Sequence, residues 1–253
     1  RRRRRAGRGY RGGNTRGLSR EQPLPVPLPT SNTASARGES NGRLAPLRLV
    51  VGLGNPGPQY ADTRHNAGFW LVDELAYQQS GQFRPDAKFH GDTCRIVLAD
   101  RDIWLLKPMT FMNRSGQAVA ALARCHRSAP PEILVVHDEL DLPLGTVRLK
   151  RAGGPGGHNG LRDIIAQLGG NDFARLRLGI GHPGDSRDVL GYVLHRTPQA
   201  ERTLIEDAIA DSLRELPRIA AGDWAKAMQT LHSRRLEPSS PASAASSANR
   251  ASD

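Results

Sequence analysis

Four short polar stretches of this 253-residue chain each contain His, Asp or Asn side chains. They are residues 55–66, 108–113, 137–141 and 153–160. A His close to a carboxylate can act as a base toward water, because the carboxylate fixes its tautomer and stabilises the imidazolium that forms. Asn side chains can donate hydrogen bonds to a developing oxyanion. The sequence has no Gly-x-Ser-x-Gly nucleophile, so this combination favours direct attack by water on an activated ester.

Each stretch also has a purely structural interpretation. Asn55 could belong only to a Pro/Gly turn, and Asn113 could be only the N-cap of a following helix. His158 could likewise cap a helix after the Gly-rich segment, and Asp138 could lie at a solvated strand end. Each structural interpretation is the better one for a single stretch, but four such stretches together favour a site.

Two other kinds of site compete with metal-free hydrolysis. The histidines at 65, 137, 158 and 182, with Asp138, could bind a metal, but no pair has the His-x-x-x-His spacing of a helical zinc site. The Gly-rich run 52–57 resembles a dinucleotide-binding loop. However, Gly57 comes one residue too early, and Pro56 and Pro58 disrupt a helix start there.

The elements that must position these side chains follow from hydrophobic periodicity. Apolar runs predict strands, and recurrence at i, i+4 and i+7 predicts helices. The predicted strands are 47–53, 93–98, 102–107, 132–137, 146–150 and 175–180, and the predicted helices are 66–79, 114–127, 159–168, 198–214 and 222–235. Residues 99–101 predict a hairpin, and Thr197-Pro198 predicts a capped helix start.

This alternation predicts one α/β domain with a twisted, mixed and mostly parallel sheet flanked by helices. Three polar stretches follow predicted strands, and the fourth precedes a predicted helix. Because strand-end loops meet at one edge of such a sheet, we expect the four stretches to form a single cleft.

Charge is distributed unevenly along the chain, which has a formal net charge of +11. Residues 1–47 hold eleven Arg and two Glu, and residues 237–253 have a net charge of −1, which leaves +3 for residues 48–236. The segments 1–46 and 237–253 lack apolar periodicity and are predicted to be disordered tails on a domain of residues 47–236. The Arg-rich arm, residues 1–46, could bind nucleic acid or could be a transit peptide. It could also be a dispensable extension, or one that results from a start site assigned too far upstream in the gene.

Composition excludes several classes of protein. No stretch approaches 18 apolar residues, so we expect no transmembrane helix. Cys94 and Cys125 provide neither a disulfide framework nor a Cys-x-x-Cys metal pair. A reducing, cytoplasmic location fits this cysteine content.

The motifs taken together resemble the bacterial-type peptidyl-tRNA hydrolases. Five segments resemble that family in order and spacing: 51–68, 108–116, 137–142, 156–160 and 175–184. The resemblance runs from about Leu47 to about Arg235 and implies an enzyme that cleaves the ester between a peptide and the 3′-terminal ribose of tRNA. It implies recycling of prematurely released peptidyl-tRNA during translation, no cofactor or metal, no membrane partner, and a cytoplasmic monomer.

The resemblance also implies a role for individual residues. It makes His65 the base, Asp138 the group that orients it, and Asn55 and Asn113 the groups that position the ester and the water. It implies substrate contacts by six further residues: Tyr60 and Met112 lining the cleft, His158 and Asn159 at the tRNA 3′ end, and Lys150 and Arg177 at the terminal phosphate. Asn113 also contributes to substrate binding.

One residue departs from the family pattern. Many relatives carry another residue at Pro155, which should stiffen the Gly-rich loop without changing the chemistry. The basic residues of the core are sparse, so the Arg-rich arm could assist tRNA binding. A non-catalytic RNA-binding protein that uses this arm, and a metal-dependent hydrolase, remain the alternatives from other classes.

Overall fold

Six of the seven strands of the sheet among the described residues correspond to strands predicted from the sequence. This is seen in a computed structural model of the chain, which describes residues 44–233. The strands are β1 (Leu49–Gly52), β2 (Arg84–Asp86), β3 (Gly91–Leu98), β4 (Arg101–Pro108), β5 (Ile133–Glu139), β6 (Val147–Arg151) and β7 (Ala174–Gly179). The predicted tails lie outside the described residues, apart from residues 44–46.

The sheet has the order β2-β3-β4-β1-β5-β7-β6. The four central strands β4, β1, β5 and β7 are parallel, whereas β2, β3 and β6 pair antiparallel at the two sides. The predicted α/β fold with a mixed, mostly parallel sheet is confirmed. Because the central strands are parallel, the loops after β1, β4 and β5 meet at the same edge, as expected for a cleft at the carboxyl ends.

Residues 44–233 contain six α-helices, most of which cover the two faces of the sheet. They are α1 (Ala67–Gln78), α2 (Ser115–Cys125), α3 (Asn159–Leu168), α4 (Val189–Leu194), α5 (Gln199–Ala220) and α6 (Trp224–Ser233). Alternate residues of β1 point to opposite faces, with Val50 in the core under α1, α5 and α6 and Val51 in the core under α2 and α3. The domain therefore has three layers, with the sheet in the middle.

Several local predictions need correction. Strand β2 and helix α4 were not predicted, because they have only three and six residues and show no clear periodicity. The predicted cap at Thr197 is wrong, since α5 begins at Gln199 and makes no side-chain cap hydrogen bond. The predicted hairpin after β3 is present, and its two-residue turn places Ala99 and Asp100 at φ values of 50° and 57°. Positive φ at both positions matches a type I′ turn, whose twist suits the flanking strands.

Helix α1 lies unusually close to β1 because two glycines face each other. A Cβ atom on Gly52 would lie 2.3 Å from the carbonyl oxygen of Gly68, and a Cβ atom on Gly68 would lie 2.5 Å from the carbonyl oxygen of Val136. Only glycine permits this backbone approach. The start of α1, and with it the turn that carries His65, is therefore held directly against the ends of β1 and β5.

No helix among residues 44–233 combines the length and the apolar character needed to cross a membrane.

Candidate active site

His65 and Asp138 meet at the carboxyl edge of the sheet. His65 lies in a 3-10 turn, Arg64–Asn66, just before α1, and Asp138 lies near the end of β5. The Nδ1 atom of His65 is 3.0 Å from each carboxylate oxygen of Asp138. Because a carboxylate only accepts hydrogen bonds, Nδ1 carries the proton and Nε2 is left as the basic nitrogen.

A second histidine donates to the same carboxylate. The Nε2 atom of His158 lies 3.1 Å from Oδ1 of Asp138, and its Nδ1 atom accepts from the backbone N–H of Leu161 at 3.4 Å. The tautomer of His158 is therefore the reverse of that of His65. Both ring nitrogens of His158 are engaged within the protein, so its predicted contact with the tRNA 3′ end would have to use the ring face or edge.

The two histidines keep Asp138 charged. Burial by itself would raise the pKa of Asp138, but the charge of His65 and the hydrogen bonds from His158 and His65 lower it well below the usual range. Burial by itself would lower the pKa of His65, but the charge of Asp138 and its hydrogen bond raise it above 6.5. The side chains are only 13% and 3% exposed, so little water screens this pair.

His137, next to Asp138, stays neutral. Burial and the neighbouring His158 lower its pKa to about 3. Its Nδ1 atom lies 2.7 Å from the carbonyl oxygen of Asp138, whereas its buried Nε2 atom has no partner among the described residues. The ring of His137 meets that of His158 edge-on, with centroids 4.9 Å apart. His137 therefore packs behind the pair formed by His65 and Asp138.

Asn55 is held by both its side chain and its backbone. Its Oδ1 atom accepts from the backbone N–H of Met112 at 2.8 Å. Its own N–H donates to Oδ1 of Asn66 at 2.8 Å, and its carbonyl oxygen accepts from Nδ2 of Asn66 at 3.0 Å. The loop after β1 is thereby joined to the loop after β4 and to the turn that carries His65.

Met112 connects the loop after β1 to the start of α3. It is buried, and a Cβ atom on Gly160 would lie 2.7 Å from its Sδ atom and 3.2 Å from Cε1 of His158. Met112 thus packs against the start of α3 and links Asn55 to His158. The four polar stretches predicted from the sequence are in contact with one another.

Three other predicted site residues are more exposed and have fewer hydrogen bonds to the rest of the protein. Asn113 is exposed, makes no side-chain hydrogen bond among the described residues, and is not the N-cap of α2, which is Arg114. The interpretation of Asn113 as a helix cap is therefore wrong. Tyr60 is half-buried at the end of a 3-10 turn, Pro58–Tyr60. Asn159 is exposed, and its Oδ1 atom accepts from Arg162 at 3.0 Å.

The two predicted phosphate ligands have different surroundings. Lys150 is exposed, and its ammonium lies about 3.2 Å from where a Cβ atom on Gly153 would be, beside the Gly-rich loop. Arg177 is partly buried, and its Nε atom donates to Glu139 at 2.8 Å. A phosphate that binds Arg177 would therefore use the Nη atoms or compete with Glu139.

Three anchoring contacts were not predicted. Arg175 donates to the carbonyl oxygens of Gly153 and Gly154 at 2.5 and 2.6 Å and so holds the Gly-rich loop to β7. Arg64 donates to Glu201 at 2.7 Å and stacks 4.0 Å over the ring of Tyr192, which ties the turn of His65 to α4 and α5. The pairing of Asn66 with the backbone of Asn55 is the third such contact. Arg64 and Asn66 are the direct neighbours of His65 in the sequence, and this position is the only sequence feature that could have indicated their role.

A cavity of about 360 Å³ opens beside the paired histidines. It lies between the strand-end loops and α4, and its walls include His65, Asp138, His158, Asn159 and Leu190. Asn55 and Asn113 are not part of its walls. A larger groove, of about 570 Å³, runs between α1 and α5 and includes none of the predicted site residues.

The same cluster offers ligand atoms for a metal. Ligand atoms of His65, Asp138 and His158 all lie within 4.8 Å of one another. However, the ring nitrogens that face Asp138 carry protons, so a metal bound between these nitrogens and the carboxylate would have to displace both protons. The hydrogen bonds already satisfy the carboxylate without an ion.

Comparison with known proteins gives a consistent result. Residues 49–239 match the family described as peptidyl-tRNA hydrolase. The chain is 57% identical over 188 residues to the peptidyl-tRNA hydrolase of Neisseria meningitidis serogroup C, which covers 74% of this chain and 98% of that protein. It is 56% identical over 191 residues to that of Halorhodospira halophila, covering 76% and 98%. Crystalline peptidyl-tRNA hydrolase from Acinetobacter baumannii superposes with a TM-score of 0.73 at 46% identity, covering 76% of this chain and 98% of that one.

Proposed function

This chain belongs to the peptidyl-tRNA hydrolase family, and from that premise we propose that it cleaves its substrate by a metal-free mechanism in which His65 activates water. The family reaction is hydrolysis of the ester between a peptide and the 3′-terminal ribose of tRNA. It releases free tRNA and peptide and so recycles peptidyl-tRNA during translation.

The observation that carries the proposal is the contact between His65 and Asp138. With Nδ1–H directed at the carboxylate, Nε2 is free to take a proton from water as that water attacks the ester carbonyl. Asp138 then stabilises the imidazolium that forms, in the way that a buried carboxylate supports the base of a catalytic triad. Proton transfer from a positioned His contributes typically about 10²–10⁴-fold to a rate.

We assign the polar groups around this pair to the substrate. Asn55 and Asn113 position the ester and the water, and Asn159 binds the tRNA 3′ end. Lys150 lies beside the Gly-rich loop, and with Arg177 it holds the terminal phosphate. Phosphate contacts fix position without reading sequence, which suits an enzyme that acts on many tRNAs. Tyr60, Met112 and His158 complete the lining.

The wider organisation is also a proposal. We assign the activity to a domain of residues 47–236, acting as a cytoplasmic monomer, with residues 1–46 and 237–253 as tails that hydrolysis does not need. The Arg-rich arm then contributes at most to tRNA affinity. Deletion of residues 1–43, which keeps the packing of Leu44 and its hydrogen bond to Gly222, should leave kcat unchanged, whereas a non-catalytic RNA-binding protein would lose its function.

The test of the base is a matched pair of substitutions in the full chain, assayed on an N-blocked aminoacyl-tRNA. His65→Asn should lower kcat by at least about 10²-fold, as expected for loss of a general base. His90→Asn is the control, because His90 is exposed and has a left-handed backbone conformation that Asn tolerates. A folded His65→Asn variant with near-normal turnover would reject the assignment. Loss of wild-type activity in EDTA, restored by zinc, would favour a metal hydrolase instead.

A further inference from the structure

Asn66 binds the backbone of Asn55 at both of its polar groups. The Oδ1 atom of Asn66 accepts the N–H of Asn55 at 2.8 Å, and its Nδ2 atom donates to the carbonyl oxygen of Asn55 at 3.0 Å. Both hydrogen bonds are buried, and Asn66 is 3% exposed. The side chain thus forms the same two bonds that a residue of a neighbouring strand forms with its partner in a sheet.

The side chain of Asn55 has only one possible orientation. Its Oδ1 atom lies 2.8 Å from the backbone nitrogen of Met112. A backbone N–H can only donate, so the atom that faces it must be the oxygen rather than the nitrogen of the amide. The Nδ2 group of Asn55 is therefore turned away from Met112, and it has no hydrogen-bond partner among residues 44–233.

Asn66 itself cannot contact the substrate in this arrangement. Both ends of its amide are used on Asn55, and the side chain is buried between the loop after β1 and the start of α1. It nevertheless follows His65 directly and belongs to the same 3-10 turn. Asn66 is thus the covalent neighbour of one candidate site residue and the hydrogen-bond partner of another.

Comparison with Asn113 indicates which of the two Asn side chains is oriented before the substrate binds. Asn113 is exposed, and no hydrogen bond to the described residues holds its side chain. Electrostatic stabilisation of a transition state is effective when the donor is already oriented and does not have to reorganise during the reaction. Asn55 meets this condition, because one buried hydrogen bond orients its side chain and two hold its backbone, whereas the side chain of Asn113 has no such bond among the described residues.

We propose that Asn66 is a positioning residue for the hydrolysis, which holds Asn55 so that its Nδ2 group donates to the ester carbonyl oxygen as that oxygen gains negative charge. This inference rests on the proposed function, because it assumes that His65 and Asn55 act on one ester. Through Asn66, the base and the donor are fixed relative to each other. A change at Asn66 should therefore act through Asn55 and leave the pair formed by His65 and Asp138 unchanged.

The experiment is a double-mutant cycle of Asn66→Ala and Asn55→Ala in the full chain. Single-turnover rates on an N-blocked aminoacyl-tRNA are measured with enzyme in excess, so that slow variants can still be compared. Asn66→Ala should lower the rate by about 10²-fold, the order seen when one oxyanion donor is lost. The double variant should be no slower than Asn55→Ala, because the two residues act as one unit. The apparent KM should change by less than about threefold.

Two further measurements separate positioning from a general effect on the fold. The acidic limb of the pH–rate profile should be the same in Asn66→Ala as in the wild type, since the contact between His65 and Asp138 is retained. Asn66→Asp keeps an acceptor for the N–H of Asn55 but places an oxygen against its carbonyl, so its rate should lie between those of the wild type and Asn66→Ala. It also serves as the test variant if Asn66→Ala does not fold. Asn171→Ala, at an exposed position, is the matched control and should have wild-type rates.

The possible failures can be distinguished. If Asn55→Ala has the wild-type rate, the proposed role of Asn55 is wrong and the inference fails with it. A second outcome is that Asn55→Ala is slow, but Asn66→Ala lowers the rate of the wild type and of Asn55→Ala by the same factor. The role of Asn55 then stands, and only the positioning role of Asn66 is rejected. A shift of the acidic limb in Asn66→Ala would also reject it, because Asn66 would then act through His65.

Discussion

The Nδ1 atom of His65 lies 3.0 Å from both carboxylate oxygens of Asp138, although 73 positions separate the two residues in the chain. The parallel pairing of β1 and β5 makes this contact possible, because the residues that follow β1 and those at the end of β5 emerge at the same edge. The close approach of α1 to β1 and β5 at Gly52 and Gly68 then places the His65 turn beside Asp138. The pair is therefore a product of the sheet topology, and its chemistry gives the following predictions.

The activity should rise with pH through a pKa above 6.5, the ordinary value for His. Asp138 raises the pKa of His65 despite its burial, and only the neutral imidazole can accept a proton from water. The measurement is kcat/KM between about pH 5 and 9, which reports the free enzyme. A rate that is flat across this range would exclude His65 as the titrating base.

The same pKa should act on stability in the opposite direction. Because the pKa of His65 is higher in the folded state, protonated His65 stabilises the fold fully below about pH 6.5, its unfolded value. This contribution is lost as pH rises through the folded pKa. Urea unfolding of the wild type and of His65→Asn should therefore give a difference in free energy of unfolding that favours the wild type more at pH 5.5 than at pH 8.5. A difference that grows with pH would contradict the pairing.

Asp138→Asn should reduce kcat far more than it reduces affinity. The amide removes the charge that stabilises the imidazolium, and its NH₂ group can present a donor to Nδ1 and favour the wrong tautomer of His65. A loss on the order of 10⁴-fold is known for the equivalent change in a serine protease triad. Steady-state kinetics on an N-blocked aminoacyl-tRNA give kcat and KM separately. The matched control is Asp141→Asn, close in sequence but outside the hydrogen bonds of the two histidines.

His158 should tune the pKa of His65 through their shared carboxylate. His158→Leu removes one donor from Asp138, so Asp138 should attract the remaining proton donor more strongly and raise the pKa of His65 further. The acidic limb of the pH–rate profile should then move to higher pH. His158→Gln can still present an N–H near the position of Nε2 and should keep the limb closer to that of the wild type. Identical limbs in the two variants would refute the coupling.

The pair formed by Arg64 and Glu201 should stabilise the fold measurably. Arg64 is nearly buried and donates through Nε and Nη2 to one oxygen of Glu201, so Glu201→Gln leaves a buried cation with a weaker partner. We expect the free energy of unfolding to fall by about 1.5–3 kcal/mol, the range for a hydrogen bond to a charged group. The control is Asp102→Asn, which breaks the exposed pair with Arg95 and should have little measurable effect. Equal effects of the two changes in urea unfolding would count against the anchoring role of Arg64.

The sequence was sufficient for the regular parts of the fold. The bounds of α3, residues 159–168, were predicted as they occur. In the structure a polar Gly-rich segment precedes this helix, and Gly169 ends it in a left-handed conformation. The continuous apolar run of β5 predicted a central strand, since a strand covered on both faces needs apolar residues at every position. Strand β2 contains Pro85 and has three residues, and α4 has six, so neither offered enough residues for a period to emerge.

The sequence by itself determined which side chains could do chemistry and that they lie at the ends of strands or at the start of a helix, because residue type and hydrophobic periodicity are local properties. Only the tertiary structure decided which partners they have. The order of the central strands brings Asp138 to His65 and His158, and the close contact of α1 with β1 brings Asn66 to Asn55. Hydrogen bonds between residues far apart in the chain leave no periodic signal in the sequence, since their geometry depends on how the sheet and helices pack. For that reason the sequence predicted both Asn55 and Asn113, whereas the fold holds only Asn55 in place.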